Sequence, residues 1–229
     1  DGSKTSNWTH NGTLLSITTA PKNIGDTVRI KVAYHGLPFG ETWGGWYNNS
    51  SYIFNLGVGF QSIPHNLGKV WHPCVDNFIE RATYSVSLKT FGNWIGVGSG
   101  VLLNVDTVQQ SPWILNRTWQ LNQEIPTYLY GIAAGRYILL KDTFQGPLTT
   151  VESDLYVLPN QKNSMLSKTQ RLEDCFKLYE TKFTFKSKDE INIQCIQLDE
   201  QYSKSKNWWT ITLYISIDEK EFLDWLYNL

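Results

Sequence analysis

The sequence predicts a mainly all-β protein, an antiparallel β-sandwich followed by a helix and a small mixed α/β tail. Three observations predict it. Short runs alternate apolar and polar residues with the period of a strand, and Gly, Pro and Asn turns interrupt them every 8–12 residues or so. All 17 glycines lie at or before Gly146 and all eight prolines at or before Pro159, so the turn-rich β character belongs to the first two thirds of the 229 residues.

Residues 1–160 are expected to be strands and turns. Thr13 to Thr19 and Asp26 to Tyr34 are the first two strands. In the second, Val28, Ile30, Val32 and Tyr34 alternate with Thr27, Arg29, Lys31 and Ala33, the pattern of a strand buried on one face. Pro21 to Gly25 between them is turn chemistry. Ala82 to Leu88 alternates again, and the mostly apolar run Tyr128 to Leu140 is expected at a sheet centre. Gly96-Val97-Gly98-Ser99-Gly100 reads as a turn. It lacks the spacing of a dinucleotide fingerprint, a P-loop or a nucleophile elbow, so Ser99 has no claim to be a nucleophile.

The period changes over 164–183. Leu166, Thr169, Leu172, Phe176 and Tyr179 fall at helical spacing, with Ser164 or Ser167 as the expected cap. From Thr184 onward there is no Gly, Pro, Ala, Val or Arg. One reading of residues 184–229 is an AT-rich stretch read out of frame or fused from elsewhere. The other is a small polar subdomain: Trp209, Ile211, Leu213, Ile215 and Ile217 alternate with polar residues, and Asp218 with Glu221 makes a capping box before Phe222, Leu223, Trp225 and Leu226.

Composition narrows the function. A net charge of −1 gives no basic surface for nucleic acid, and no apolar run approaches the roughly 20 residues of a membrane span. Cys74, Cys175 and Cys195 form neither a disulfide framework nor a Cys-x-x-Cys knuckle. Four Asn-x-Ser/Thr triplets begin at Asn7, Asn11, Asn49 and Asn116, with a fifth at Asn48 overlapping the third, and such triplets arise by chance in turns rich in Asn, Ser and Thr.

The segment from Phe54 to Tyr84 is the most informative. Its core, Trp71-His72-Pro73-Cys74-Val75-Asp76 followed by Arg81-Ala82-Thr83-Tyr84, resembles the Phe-Pro-Cys-x-Asp and Lys-Ala-Thr-Phe signature of the M1 family of zinc aminopeptidases. Tyr34-His35-Gly36 resembles the Tyr-x-Gly that precedes it, and Pro126-Thr127-Tyr128-Leu129 with Ala134-Gly135 resembles the later Ser-Tyr-Leu and Gly stretch. The resemblance implies a saddle-shaped N-terminal β domain over 1–160 whose first strands are missing, since Asp1-Gly2-Ser3-Lys4 has no initiator Met. It implies the first helix of a catalytic domain over 161–183, then a tail of uncertain origin over 184–229.

The resemblance also implies an activity that the chain does not carry. The family cleaves the first peptide bond of peptides with zinc held by His-Glu-x-x-His and a distant Glu, the intervening Glu acting as general base. Here His10, His35, His65 and His72 are never followed by Glu, and no Gly-x-Met-Glu-Asn accompanies the single Met165. No catalytic residue, metal ligand or cofactor is therefore expected in this chain, with zinc belonging to the intact family member. The expected substrate-binding residue is Gln61, because family members place a Gln or Glu before the Pro-Cys signature, lining the pocket for the substrate's N-terminal residue. Gln61 lies one position further from Pro73 than the common spacing, and a turn glutamine bonded to backbone is the other reading.

Two further sets remain open. In an extended strand His72, Cys74 and Asp76 share a face, with His65 upstream, a possible ligand set; the family uses Pro-Cys-x-Asp structurally instead, with Cys buried and the carboxylate on turn amides. Trp43, Trp46, Tyr47 and Tyr52 either form an exposed platform for sugar rings or apolar side chains, or pack in the core. The platform would suit a second function, a non-catalytic carbohydrate-binding module.

Overall fold

Alternation becomes a strand where the segment finds both an edge to pair with and a core to face. The computed structural model describes residues 7–146, 150–182, 191–197 and 209–215. In chain order the strands are β1 (Trp8–His10), β2 (Leu15–Ile17), β3 (Gly40–Glu41), β4 (Gly44–Asn48), β5 (Tyr52–Gly59), β6 (Arg81–Phe91) and β7 (Ile95–Gly98). They continue as β8 (Val101–Gln110), β9 (Trp113–Pro126), β10 (Ile132–Gly135), β11 (Ile138–Gln145), β12 (Thr150–Val157), β13 (Ile191–Gln197) and β14 (Trp209–Ile215). Two helices, α1 (Lys162–Thr169) and α2 (Leu172–Lys182), lie between β12 and β13. The expected mainly antiparallel β architecture is present.

The strands form a five-stranded sheet β3-β4-β5-β10-β7, a three-stranded sheet β6-β9-β8, a four-stranded sheet β11-β12-β13-β14 and the small ladder β1-β2. All described pairings are antiparallel except β12 with β13. The five-stranded and three-stranded sheets share a core of Tyr47, Tyr52, Phe54, Val97, Trp119 and Ala133. Trp119 on β9 is 2% exposed and donates its indole N–H to the Gly96 carbonyl at 3.1 Å. That bond satisfies the one polar atom of a large apolar side chain. A second core, Phe144, Val151, Leu155, Val157, Met165, Leu172 and Phe176, joins β11 and β12 to the helices.

Several expectations need correction. Residues 26–39 lie in no strand, and Val28, Ile30, Val32 and Tyr34 are all exposed. Only Leu15–Ile17 of the run Thr13 to Thr19 is a strand. The run Tyr128 to Leu140 is divided: β10 is interior to the five-stranded sheet, exposed Arg136 marks the bend, and β11 enters another sheet. The glycine run is a strand before it is a turn. A side chain at Gly96 would strike Leu88 and one at Gly98 would strike Trp119, while Gly100 takes φ 99° at the turn. Buried Ser99 donates to the Gly131 carbonyl and accepts from its N–H, both at 3.1 Å, which is a structural role.

The expected helix is two helices, and neither Ser164 nor Ser167 caps one, since both lie inside α1. The Thr169 hydroxyl donates to the Met165 carbonyl at 2.9 Å, a local bond that competes with the backbone ladder where α1 ends. The Trp209–Ile215 alternation is strand β14, as expected. The capping box Asp218/Glu221 and the segment after it lie outside the described residues. Among the described residues no helix is long and apolar enough to cross a membrane.

Candidate functional site

Gln61 lies on the loop after β5, and a single carboxylate shapes that loop. Glu41 ends β3; its Oε1 accepts the N–H groups of Phe60 and Gln61, the latter at 2.9 Å. Its Oε2 accepts the Ser62 N–H at 2.9 Å and the Ser62 hydroxyl at 2.8 Å. Three successive amides wrapped around one anion form a small anion-binding nest. The Gln61 amide holds the Glu41 carboxyl below its usual range, helped by Ser62 and Phe60 and opposed by desolvation. Gly59 carries no side chain because a Cβ there would run into the Glu41 carboxylate.

The Gln61 side chain is exposed and donates from Nε2 to the Thr42 hydroxyl at 3.2 Å. Beside it, Trp43 and Phe60 stack with ring centroids 4.3 Å apart and planes 27° from parallel. The β3–β4 turn brings Trp43 there through a bulge at Gly44 and Gly45, the latter with φ 78°. Trp43 is thus the surviving member of the aromatic set on this face. Tyr47 and Tyr52 are core residues and Trp46 is half-buried against Trp71, so the four do not form a platform.

The signature loop lies next to this region. Asp76, its side chain 3% exposed, accepts the Lys69 N–H at 3.2 Å and pairs with the Lys69 ammonium at 3.5 Å. Buried Asn66 donates to the Asp76 carbonyl, and the Thr127 hydroxyl donates to the Val75 carbonyl at 3.0 Å while accepting from Tyr84 on β6. The carboxylate therefore secures loop backbone, the structural role the resemblance implies for it. Asn66 Oδ1, Trp71 Nε1, His72 Nδ1 and Asp76 Oδ1 are buried in the same loop with no hydrogen-bond partner among the described residues.

Cys74 is half-buried rather than buried. Desolvation pushes its thiol up to about 12, the Asp76 charge adds to this, and Lys69 and a hydrogen bond from Thr127 act against it. Tyr34 has an exposed ring, yet its phenol is raised, first by desolvation of the hydroxyl end and then by Cys74. His72 lies against Trp71 with ring centroids 4.1 Å apart and planes tilted by 41°; burial lowers its pKa, while the Asp76 charge and a backbone hydrogen bond at Gly68 raise it. His65 lies on the exposed loop before Asn66.

Zinc is the metal that the resemblance implies, and these residues do not fit it. Among the described residues no group of three or more His, Cys, Asp or Glu is placed to hold a metal ion. Asp76 is committed to Lys69 and to the Lys69 backbone N–H.

Comparison with known proteins gives only distant structural likeness. No family profile matches the chain, and no curated protein matches it. Among solved structures, an M1 zinc metallopeptidase from Deinococcus radiodurans matches at 18% identity and a TM-score of 0.48, covering 65% of this chain and 33% of that one. Legionella pneumophila aminopeptidase A, in complex with aspartic acid, matches at 15% identity and a TM-score of 0.48, covering 64% of this chain and 16% of that one.

Glu41 and Phe60 escape a motif-based reading. The available signal was charge. From Gly36 to Pro64 the sequence contains one charged residue, Glu41, and a lone carboxylate in a Gly-rich aromatic stretch needs donors.

Proposed function

We propose that this chain is the N-terminal β part of a zinc-dependent aminopeptidase and that Gln61 borders the pocket for the first residue of a peptide substrate. The supporting observation is the Trp-His-Pro-Cys-Val-Asp loop. Its Asp76 binds loop backbone, the Arg-Ala-Thr-Tyr that follows opens β6, and Thr127 bridges the two by donating to the Val75 carbonyl and accepting from the Tyr84 hydroxyl. On this reading residues 1–160 are the β domain, 161–183 open a catalytic domain and 184–229 are a tail of uncertain origin, two of whose strands, β13 and β14, extend the β11–β12 sheet. The β domain shapes amino-terminal specificity, and the zinc and general base are supplied by sequence outside this chain.

Hydrolysis by this chemistry needs a metal to lower the pKa of water from 15.7 to about 7, with a carboxylate to take the proton. The 229-residue chain alone is therefore expected to turn over no fluorogenic aminoacyl amide and to retain no zinc after dialysis. One equivalent of zinc with chelator-sensitive turnover would overturn the reading. In a longer protein that joins this domain to a His-Glu-x-x-His helix, Gln61→Ala should change relative kcat/KM among N-terminal residues about tenfold, at constant zinc content. Equal kcat/KM ratios before and after the substitution would remove Gln61 from the pocket. The carbohydrate-module reading loses its support, because Tyr47 and Tyr52 are core residues.

A further inference from the structure

We propose that the loop from Asn66 to Asp76 is a binding site for ordered internal water, held by Asn66, Trp71, His72 and Asp76. Its basis is the set of polar atoms left over once the loop has made its own hydrogen bonds. Asn66 is 0% exposed and the Asp76 side chain 3% exposed, yet Asn66 Oδ1 and Asp76 Oδ1 have no hydrogen-bond partner among the described residues. Trp71 Nε1 and His72 Nδ1 are buried in the same condition. A buried polar atom that goes unpaired forfeits its hydration with nothing in return, so four on one loop call for a ligand.

The two orphan oxygens are defined by the bonds around them. Asn66 Nδ2 donates to the Asp76 carbonyl, which fixes the amide orientation and leaves Oδ1 as the acceptor still to be satisfied. Asp76 gives Oδ2 to the Lys69 N–H at 3.2 Å and to the Lys69 ammonium at 3.5 Å, and Oδ1 remains. A Cβ at residue 68 would lie 2.9 Å from that Oδ1, and Gly68 keeps carbon away from it. The Trp71 and His72 ring centroids are 4.1 Å apart, and His72 feels the Asp76 charge, so the donors and acceptors belong to one neighbourhood.

Hydrogen-bond sense selects the occupant. Trp71 Nε1 only donates, the two oxygens accept, and His72 Nδ1 does either. A cation would meet the indole N–H and the ammonium already paired with Asp76, and an anion would meet two acceptor oxygens, one of them charged. Water both donates and accepts. A buried water makes about three hydrogen bonds, so about one or two waters use all four atoms. The water then joins Asn66 at one end of the signature loop to Asp76 at the other, through the side chains of Trp71 and His72.

The test is nuclear magnetic resonance of the 229-residue chain, measuring magnetisation transfer between water and indole N–H groups, with the Trp71 signal assigned by its loss in Trp71→Phe. A long-lived internal water should give the Trp71 indole cross peaks of opposite sign in laboratory-frame and rotating-frame experiments. The indole of Trp113, 54% exposed, should give no such pair. Gly68→Ala, which brings a methyl against Asp76 Oδ1, should weaken the Trp71 cross peak several-fold. Should that variant not fold, a crystal structure of the unaltered chain decides, with a water oxygen expected within about 3.2 Å of Asp76 Oδ1. A Trp71 indole without the cross-peak pair, a folded Gly68→Ala chain with an unchanged one, or density beside Asp76 Oδ1 that is empty or carries the anomalous signal of a metal overturns the proposal.

Discussion

Residues 26–34 and β6 carry the same pattern and end differently. In β6, Tyr84, Val86 and Leu88 alternate with Ser85, Ser87 and Lys89, pair with β9 and pack against Leu121, Ile125, Tyr130 and Ile132. In residues 26–34, Val28, Ile30, Val32 and Tyr34 alternate as cleanly, yet their side chains are 37–57% exposed and the segment belongs to no strand. Hydrophobic period states which side chains would share a face. It does not supply the neighbouring edge or the core that makes sharing a face favourable. β6 has both through β9, whereas 26–34 has neither among the described residues.

The largest expected effect tests that contrast directly. Trp119→Ala, on β9 opposite Val86 of β6 and within the shared core, should cost about 3–5 kcal/mol in chemical denaturation. Ile30→Ala, in the exposed counterpart, should change stability by less than about 0.5 kcal/mol. Similar losses at the two sites would show that 26–34 is packed as β6 is, and the comparison would break.

A thiol measurement sharpens the comparison at the end of the unpaired segment. Half-buried Cys74 adds to the upward shift that desolvation gives the phenol of Tyr34, at the end of the unpaired segment, so the two lie close together. A thiol pushed up to about 12 is almost wholly protonated at pH 8, so a thiol reagent should modify exposed Cys175 well before Cys74. Tyr34→Ala should accelerate Cys74 modification several-fold if the tyrosine shields it. An unchanged rate would mean that residues 26–34 lend Cys74 no protection.

The smallest effect concerns the Glu41 loop, a region held by one side chain in place of strand pairing or a core. Its folded carboxyl titrates below the usual 4.5. The contribution of Glu41 is therefore fully present above the unfolded value and is lost as pH falls through the lower folded value. Amide-exchange protection at Gln61 and Ser62 should persist as pH is lowered through 4.5 and fade further into acid. Glu41→Gln should remove that protection at neutral pH with little change in the denaturation midpoint. Protection that ignores both pH and the substitution would mean that the loop is held by its own backbone.

What could be read in advance followed from covalent pattern. Gly and Pro placement marked the first two thirds of the chain as strands and turns, because those residues restrict or free the backbone locally, and the Pro-Cys-x-Asp run marked the loop that Asp76 stabilises. Sequence order likewise placed Gln61 shortly before that loop, and the alternation of 209–215 marked β14. Partner choice was not legible. The divergence of β6 from 26–34, the passage of Tyr128 to Leu140 from one sheet into another, and the burial of Tyr47 and Tyr52 while Phe60 stays exposed all depend on contacts between residues far apart in the chain. The role of Glu41 is of the same kind. Its carboxylate meets amides nineteen to twenty-one positions away, and only folding β3 beside the end of β5 brings an acid and three donors to one point.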